Sequence, residues 1–515
     1  MRKTIRTFLS AVLAASMFSG FAACGESSSL ISVQTPIKVF ANSAVVSEEN
    51  GLALFEEELK RLTGVDIRFF QPESGTYKDM VDKLFSNPNR FLWPDIVLLE
   101  PKQYADYAAS GVLADITSVW ENSELRKSGR IAYDWVIDDL KIDNKLYGIA
   151  PVSGNGYITY VKQTWLDEAG ITELPSNYEE YIQMLKTFSE LSPDGYALTA
   201  PGISNKEGSY LSYLPELFWD ALPDFYQNED GIWVDGFTED KMKAALERLT
   251  TAYREGWLDP EYTSNEVSVC KDKFSMDKCG IFTYWAGIGA DALMEDMEKY
   301  GEDSALVPMP PIAEVGAYTR CPSRIWAITA GCKDKEKVFE IFFGTMLDGA
   351  EGQVLWTYGV EELHWNTHAE TISIGKGDKE IIYEYAEGEF HGKRSIENEN
   401  KIYKKNYLDP LLSIARWEEG KDVGFGSINA IARESQEVFR ANSTLAPEIS
   451  NATELEQIQE EIMSVRVRLA NKVILGELPI EEAMEQYHQE AGEKIRDVLG
   501  FLNGSQNGKP PVAEE

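Results

Sequence analysis

Trp285 follows a strand-like run, residues 280–284, and precedes Ala286-Gly287-Ile288-Gly289. A large ring beside such a loop can be approached closely, because glycine has no side chain in the way. Asn155 and Tyr157 flank Gly156. Arg324 and Trp326 alternate on a strand-like run over 324–329, so both should point to one face. An arginine is rarely buried without a partner, so that face should be polar and accessible. Glu100 stands directly after the apolar run 95–99. Rings beside carboxylates, amides and arginine suit the binding of a molecule with apolar C–H faces and many hydroxyls, as sugars have. Rings stack on the faces and polar groups meet the hydroxyls. Unpaired buried polar groups are costly, so such a site discriminates by hydrogen bonding.

Bond-breaking chemistry has less support. The sequence contains no GxSxG, Walker loop, GxGxxG or HExxH. Among 85 acids some pair at glycosidase spacing arises by chance, and sequence does not set that distance. An exported glycan-active enzyme is one alternative, and a binding protein for a peptide or other small solute another. With four His, and cysteines far from CxxC spacing, no metal and no cofactor are expected. The 85 acids outnumber 49 Lys plus Arg and are scattered, for a net charge of −36. Such a surface repels nucleic acid and anionic lipid headgroups.

The elements that must position these residues follow from periodicity. The pattern predicts strands at 36–40, 65–70 and 95–99, separated by helices at 47–63 and 77–85, which reads as an α/β layer with mostly parallel strands. A second set begins after Tyr147-Gly148-Ile149-Ala150-Pro151: a strand at 156–161 and helices at 164–169, 178–191 and 238–255. A strand at 280–284 and a helix at 291–299 follow, then three prolines, a strand at 324–329 and a helix at 335–348. The last helices run over 454–475 and 479–501. Two α/β units facing each other make a cleft, and small-molecule sites favour domain interfaces and the carboxyl ends of strands.

The start of the chain is an export signal. Arg2, Lys3 and Arg6 precede an uncharged run, 8–23, too short to span a bilayer, which needs roughly 20 apolar residues. Residues 1–23 are therefore expected to be a signal peptide. The stretch up to Cys24 resembles a bacterial lipoprotein signal, with Phe21 where leucine is usual, which makes Cys24 the expected lipidation site. Ser-rich residues 24–35 read as a tether, and 503–515 as a disordered tail. Export permits disulfides. Four cysteines remain and allow three pairings. The local pairs Cys270 with Cys279 and Cys321 with Cys332 are the expectation.

Several segments taken in order resemble the family 1 bacterial extracellular solute-binding proteins. These are Pro94-Asp95-Ile96-Val97 with Gly111-Val112-Leu113-Ala114-Asp115-Ile116, then Leu146-Tyr147-Gly148-Ile149-Ala150-Pro151. Trp165-Leu166-Asp167-Glu168-Ala169-Gly170-Ile171 and Glu255-Gly256-Trp257-Leu258-Asp259-Pro260-Glu261 follow. The last is Asp348-Gly349-Ala350-Glu351-Gly352 with Tyr358-Gly359-Val360-Glu361 and His364-Trp365. The resemblance implies a two-lobed periplasmic-binding-protein-like fold of type 2, with hinge crossovers and a cleft that closes on ligand. It implies a monomer, not an enzyme, that delivers a carbohydrate, with an oligosaccharide as the expectation, to the permease of an ATP-driven importer on the extracytoplasmic side. The expected lobes are 36–150 with 305–360, and 151–304 with 361–502. By the same likeness Trp219 and Asp220 belong to a ligand-facing loop of the second lobe. Glu361, Glu362 and Trp365 belong near the later crossover.

Overall fold

The computed structural model describes residues 35–72, 77–202, 213–375, 380–446 and 455–504. Cys24, the signal and nearly all of the tether and tail lie outside these residues. Ten strands build the two main sheets: β1 (Ile37–Phe40), β2 (Ile67–Phe70), β3 (Ile96–Leu99), β4 (Gly148–Ile149), β5 (Asn155–Lys162), β6 (Ile281–Trp285), β7 (Leu306–Met309), β8 (Tyr318–Cys321), β9 (Ile325–Ile328) and β10 (Ser443–Leu445).

The first sheet has the order β2-β1-β3-β9-β4. β1 pairs parallel with β2 and β3, as the alternation of strand and helix requires. β9 returns antiparallel between β3 and β4, so the sheet is mixed. Its inner strands β3 and β9 are buried on both faces, against helices such as Leu52–Thr63, Lys335–Met346 and Glu351–Tyr358, whereas the edge strand β2 alternates buried and exposed residues. The second sheet has the order β10-β8-β5-β6, with β7 also on β5, and β5 runs antiparallel to β6, β7 and β8. Helices pack around it in two core clusters. Asp240–Arg254 buries Met242, Ala245, Leu246 and Leu249 on one face, with Tyr253 half-buried beyond them. The C-terminal helices Glu456–Ile474 and Ile480–Leu502 join the same core. Arg466 fastens them: it is buried, bonded to Asp235 at 2.8 Å and to the Tyr487 hydroxyl at 2.9 Å.

The expected lobe boundaries shift. Residues 306–321 lie in the second sheet, not the first lobe, because β7 and β8 both pair with β5. Pro308 is accommodated in β7 opposite Tyr160. Residues 361–415, expected in the second lobe, pack in part on the first, although Leu411 joins a core of the second unit. Leu408, Ile414 and Ala415 join its core, and the His364 ring bonds to the Asn50 carbonyl at 2.9 Å. The chain thus passes between units at 150–154, 322–324 and beyond 415. The first passage is pinned beside residues 412–414: the Ser153 amide donates to the Leu412 carbonyl and the Ile414 amide to that of Pro151, both at 2.9 Å.

The expected disulfides are absent. Cys270, Cys279, Cys321 and Cys332 are free thiols. Cys321 ends β8 in the second sheet, whereas Cys332 lies past β9 of the first, so that pair is split between units. Cys270 and Cys279 are both buried in the second unit's core, where burial pushes the Cys270 thiol up to about 12. Among the described residues no helix is long and apolar enough to cross a membrane.

Candidate functional site

β5 and β6 bring the first candidates together. Their register sets Tyr157 opposite Trp285. The Tyr157 ring lies 4.5 Å from that of Trp285 and 4.7 Å from that of Tyr213. The Tyr213 hydroxyl donates to that of Tyr157 at 3.2 Å. Trp285 remains 37 % exposed, with the Tyr157 ring packed beside it. Two hydrogen bonds fix the chain here. The Tyr160 hydroxyl donates to the Trp285 carbonyl at 2.9 Å, and the Gly287 amide donates to the Ser435 hydroxyl at 2.9 Å. Gly287 has φ +70°, and a Cβ there would stand 2.6 Å from Gln436, so this turn demands glycine.

Asn155 opens β5 beside these rings. Its side-chain amide donates to the Ala286 carbonyl at 3.2 Å. Its side-chain carbonyl oxygen is buried and has no hydrogen-bond partner among the described residues. Trp219 and Asp220 share with Tyr157 a cavity of about 220 Å³ that also touches Tyr318, Cys321 and Leu445. The Arg248 guanidinium lies over the Trp219 ring at 3.5 Å and pairs with Asp220 at 3.2 Å. One face of Trp219 is therefore occupied, and Asp220 has an internal partner.

The first unit contributes the ends of β1, β3 and β9. Arg324 donates to the backbone carbonyl of Asn42 at 3.1 Å and to its side-chain oxygen at 2.9 Å. Glu100 caps the helix Pro101–Ala109. Burial pushes its carboxyl above the usual range, and the charge of Arg324 pulls the other way. Glu100 opens onto a cavity of about 880 Å³ between the units, whose walls include Trp135, Ser153, Trp233, Arg320 and Leu445. Arg320, at the end of β8, reaches across it. Its guanidinium lies 3.8 Å from the Trp135 ring and 3.4 Å from Asp139, and it donates to the Ser153 carbonyl. Leu445 touches both cavities, so the rim of the second sheet is continuous with the space between the units.

Other candidates lie elsewhere. Trp326 is buried in the first core, 5.3 Å from Phe342 and 6.0 Å from Trp356. Arg324 precedes β9 rather than belonging to it, so the shared-face argument fails, and β9 is itself buried on both faces. Trp365 is buried, donates to the Gly359 carbonyl at 3.0 Å and packs on Phe390. Glu361 and Glu362 are exposed. Glu362 pairs with His368 at 2.9 Å. Tyr213, Asn42 and Arg320 were missed by sequence reasoning. Only Arg320, in Tyr318-Thr319-Arg320-Cys321, carried a signal, a charge among residues able to form a strand.

Comparisons with known proteins bear on the family and the fold. The family model described as bacterial extracellular solute-binding protein matches residues 47–342. Lipoprotein LipO of Bacillus subtilis is 21 % identical over 401 residues, covering 72 % of this chain and 76 % of LipO. An HMO-binding, ABC-transporter-associated solute-binding protein of Bifidobacterium longum infantis superposes with a TM-score of 0.59 at 13 % identity, over 92 % of this chain and 98 % of the other. The N-glycan transport solute-binding protein NgtS of Streptococcus pneumoniae gives 0.54 at 17 % identity, over 92 % and 100 %.

Proposed function

The chain belongs to the bacterial extracellular solute-binding proteins, and from that starting point we propose that it captures a carbohydrate between its lobes and delivers it to the permease of an ATP-driven importer. The observation that carries this reading is the part-exposed Trp285 beside the Tyr157 and Tyr213 rings, at a strand end of the second unit. Rings of this kind stack on sugar faces. Asn155 supplies a side-chain carbonyl without a partner among the described residues, and Glu100 and Arg324 supply polar groups from the opposite unit. Trp219 and Asp220 form the rim, with Arg248 limiting their share. The names of the Bifidobacterium and Streptococcus structures, one HMO-binding and one for N-glycan transport, support the same class.

Ligand bridging both units favours the closed arrangement, because only there does it touch both sets of groups. On this reading Cys24 carries the lipid that keeps the protein at the outer membrane face beside its permease. The lobes are 37–149 with 325–415, and 155–321 with 430–502. The test is a thermal-shift screen of residues 25–515 against mono- and oligosaccharides, with peptides as controls; a ligand of the folded state raises the midpoint. With the Trp285 residue 37 % exposed, covering its roughly 90 Å² is worth about 2 kcal/mol, so Trp285→Ala should weaken the glycan about 30-fold. A midpoint raised by peptides and by no glycan, or a Trp285→Ala protein that binds glycan as wild type does, overturns the reading.

A further inference from the structure

The last helix, Ile480–Leu502, ends at the space between the two units. Leu502 lines the cavity of about 880 Å³ whose other walls include Glu100, Trp135 and Arg320. The helix end is fixed there. The Trp233 amide donates to the side-chain oxygen of Asn503 at 2.9 Å, and the Asn503 side-chain amide donates to the Trp233 carbonyl at 3.0 Å. Trp233 belongs to the hairpin of Phe225–Gln227 with Trp233–Asp235 and lines the same cavity. The chain after Gly504 therefore starts beside the cavity. It continues, outside the described residues, as Ser505-Gln506-Asn507-Gly508-Lys509-Pro510-Pro511-Val512-Ala513-Glu514-Glu515.

Length and chemistry both fit. The stretch from 505 to 510 reaches up to about 20 Å when extended, ample from a residue that already lines the cavity. Consecutive prolines favour polyproline II, which loses little entropy on docking and lies well in aromatic-lined grooves. Here each unit offers the cavity a half-buried tryptophan, Trp135 from the first and Trp233 from the second. The segment carries charge on both sides of its apolar centre, Lys509 before it and Glu514 and Glu515 after it. The walls carry both signs too, with Glu100 and Asp106 against Arg320. Arg320 is 9 % exposed, and its hydrogen bonds to Asp139 and to the Ser153 carbonyl are both 3.4 Å. That is longer than the usual span of about 2.7–3.2 Å. Burial pulls its guanidinium below the usual range, with Asp139 offsetting only part. A further carboxylate suits this cation.

We propose that residues 505–515 are the chain's own occupant of the cavity between the units, seated with Pro510 and Pro511 between Trp135 and Trp233. Seated there, the segment covers the Glu100 side of the space between the units, so a captured solute displaces it. The inference does not depend on which solute that is.

The test titrates a synthetic peptide of residues 505–515 into protein 25–504 and into protein 25–515, read by calorimetry and tryptophan fluorescence. A short tether presents its own segment at roughly millimolar effective concentration, so seating in cis requires that the free peptide bind the shortened protein with a Kd below about 1 mM. The expected Kd is about 0.1 mM, and competition from the tethered segment should make binding to 25–515 about tenfold weaker. Trp233→Ala in the shortened protein keeps the backbone bonds to Asn503 and should weaken the peptide about tenfold. A peptide carrying Pro510→Gly and Pro511→Gly should lose about as much. That arm stands even where unliganded melting shows that Trp233→Ala fails to fold. A Kd above about 1 mM for the shortened protein, equal affinity for the two proteins, or peptide binding indifferent to the prolines overturns the proposal. Sedimentation velocity separates cis from trans. A monomer with and without the segment supports the proposal, whereas a dimer of 25–515 that is lost in 25–504 puts the segment in a second copy and overturns it.

Discussion

Replacing Glu216 by glutamine tests the electrostatics of the second unit without knowledge of the ligand. Glu216 is 1 % exposed, within the run Leu214-Pro215-Glu216-Leu217-Phe218. Its carboxylate accepts from the Thr159 hydroxyl at 2.8 Å and from that of Tyr318 at 3.5 Å, below the cavity shared by Tyr157 and Trp219. Burial pushes the carboxyl up to about 7, against 4.5 for an ordinary glutamate, and these hydrogen bonds offset only part of that. A folded pKa above the unfolded one means that the folded state prefers the protonated form. Below about pH 4.5 the group is neutral in both states and costs nothing. As pH rises from about 4.5 to about 7 the unfolded state ionises while the folded state stays protonated, so stability falls at about 1.4 kcal/mol per unit, by about 3 kcal/mol in all, and levels off once the folded carboxyl is ionised too. Glutamine keeps an oxygen for Thr159 and never ionises. Urea denaturation between pH 4.5 and 8 should therefore show wild type losing stability relative to Glu216→Gln as pH rises, with most of the change between about 5 and 7. Parallel curves for the two proteins would refute the reasoning, because a solvated carboxylate gives no such divergence.

Two substitutions separate packing from binding. Arg466→Met leaves Asp235 buried with its charge uncompensated, so it should cost about 3–5 kcal/mol in chemical denaturation and raise hydrogen exchange in the two C-terminal helices. Trp326→Ala should cost about 3–5 kcal/mol through the cavity left beside Phe342 and Trp356, with glycan affinity unchanged in the folded protein; an affinity loss without a stability loss would return Trp326 to the cleft.

Where a pattern is local, the sequence announces it. The helix Tyr178–Leu191 has its predicted bounds, because Asn177 caps it and Tyr181, Met184, Leu185 and Phe188 form one stripe. The position of Trp285 was legible in the same way, at the end of a strand and before a glycine turn. What was not legible depends on contacts far apart in sequence. Part of 361–415 sides with the first unit through His364 on Asn50, more than three hundred residues away. β8 joins the second sheet only through its pairing with β5. The alternation of Arg324 and Trp326 suggested a half-exposed strand, but β9 is buried on both faces, where alternation carries no information about exposure. Glu216 carried a signal that was not used: an acid inside an apolar run is either a break in the pattern or a buried carboxyl.

The contacts between units bear on how a ligand could move them. Each unit has its own core of large buried side chains, whereas the polar links across the gap are modest. Arg320 meets Trp135 by a cation–π contact and Asp139 at 3.4 Å, and Arg440 lies over the Tyr133 ring at 4.6 Å. Lys404 and Glu295 are about half exposed or more, and exposed ion pairs contribute about 0–1 kcal/mol. Cation–π pairs are worth about 0.5–2 kcal/mol. The sum is a few kcal/mol, comparable with the about 5.5 kcal/mol of differential binding that reverses a 1:99 population. A bound glycan that added Trp285 stacking from one unit and Glu100 or Arg324 hydrogen bonds from the other could supply that difference. Stronger links would hold one arrangement whether or not ligand was present, and the ligand would then change nothing that a permease could read.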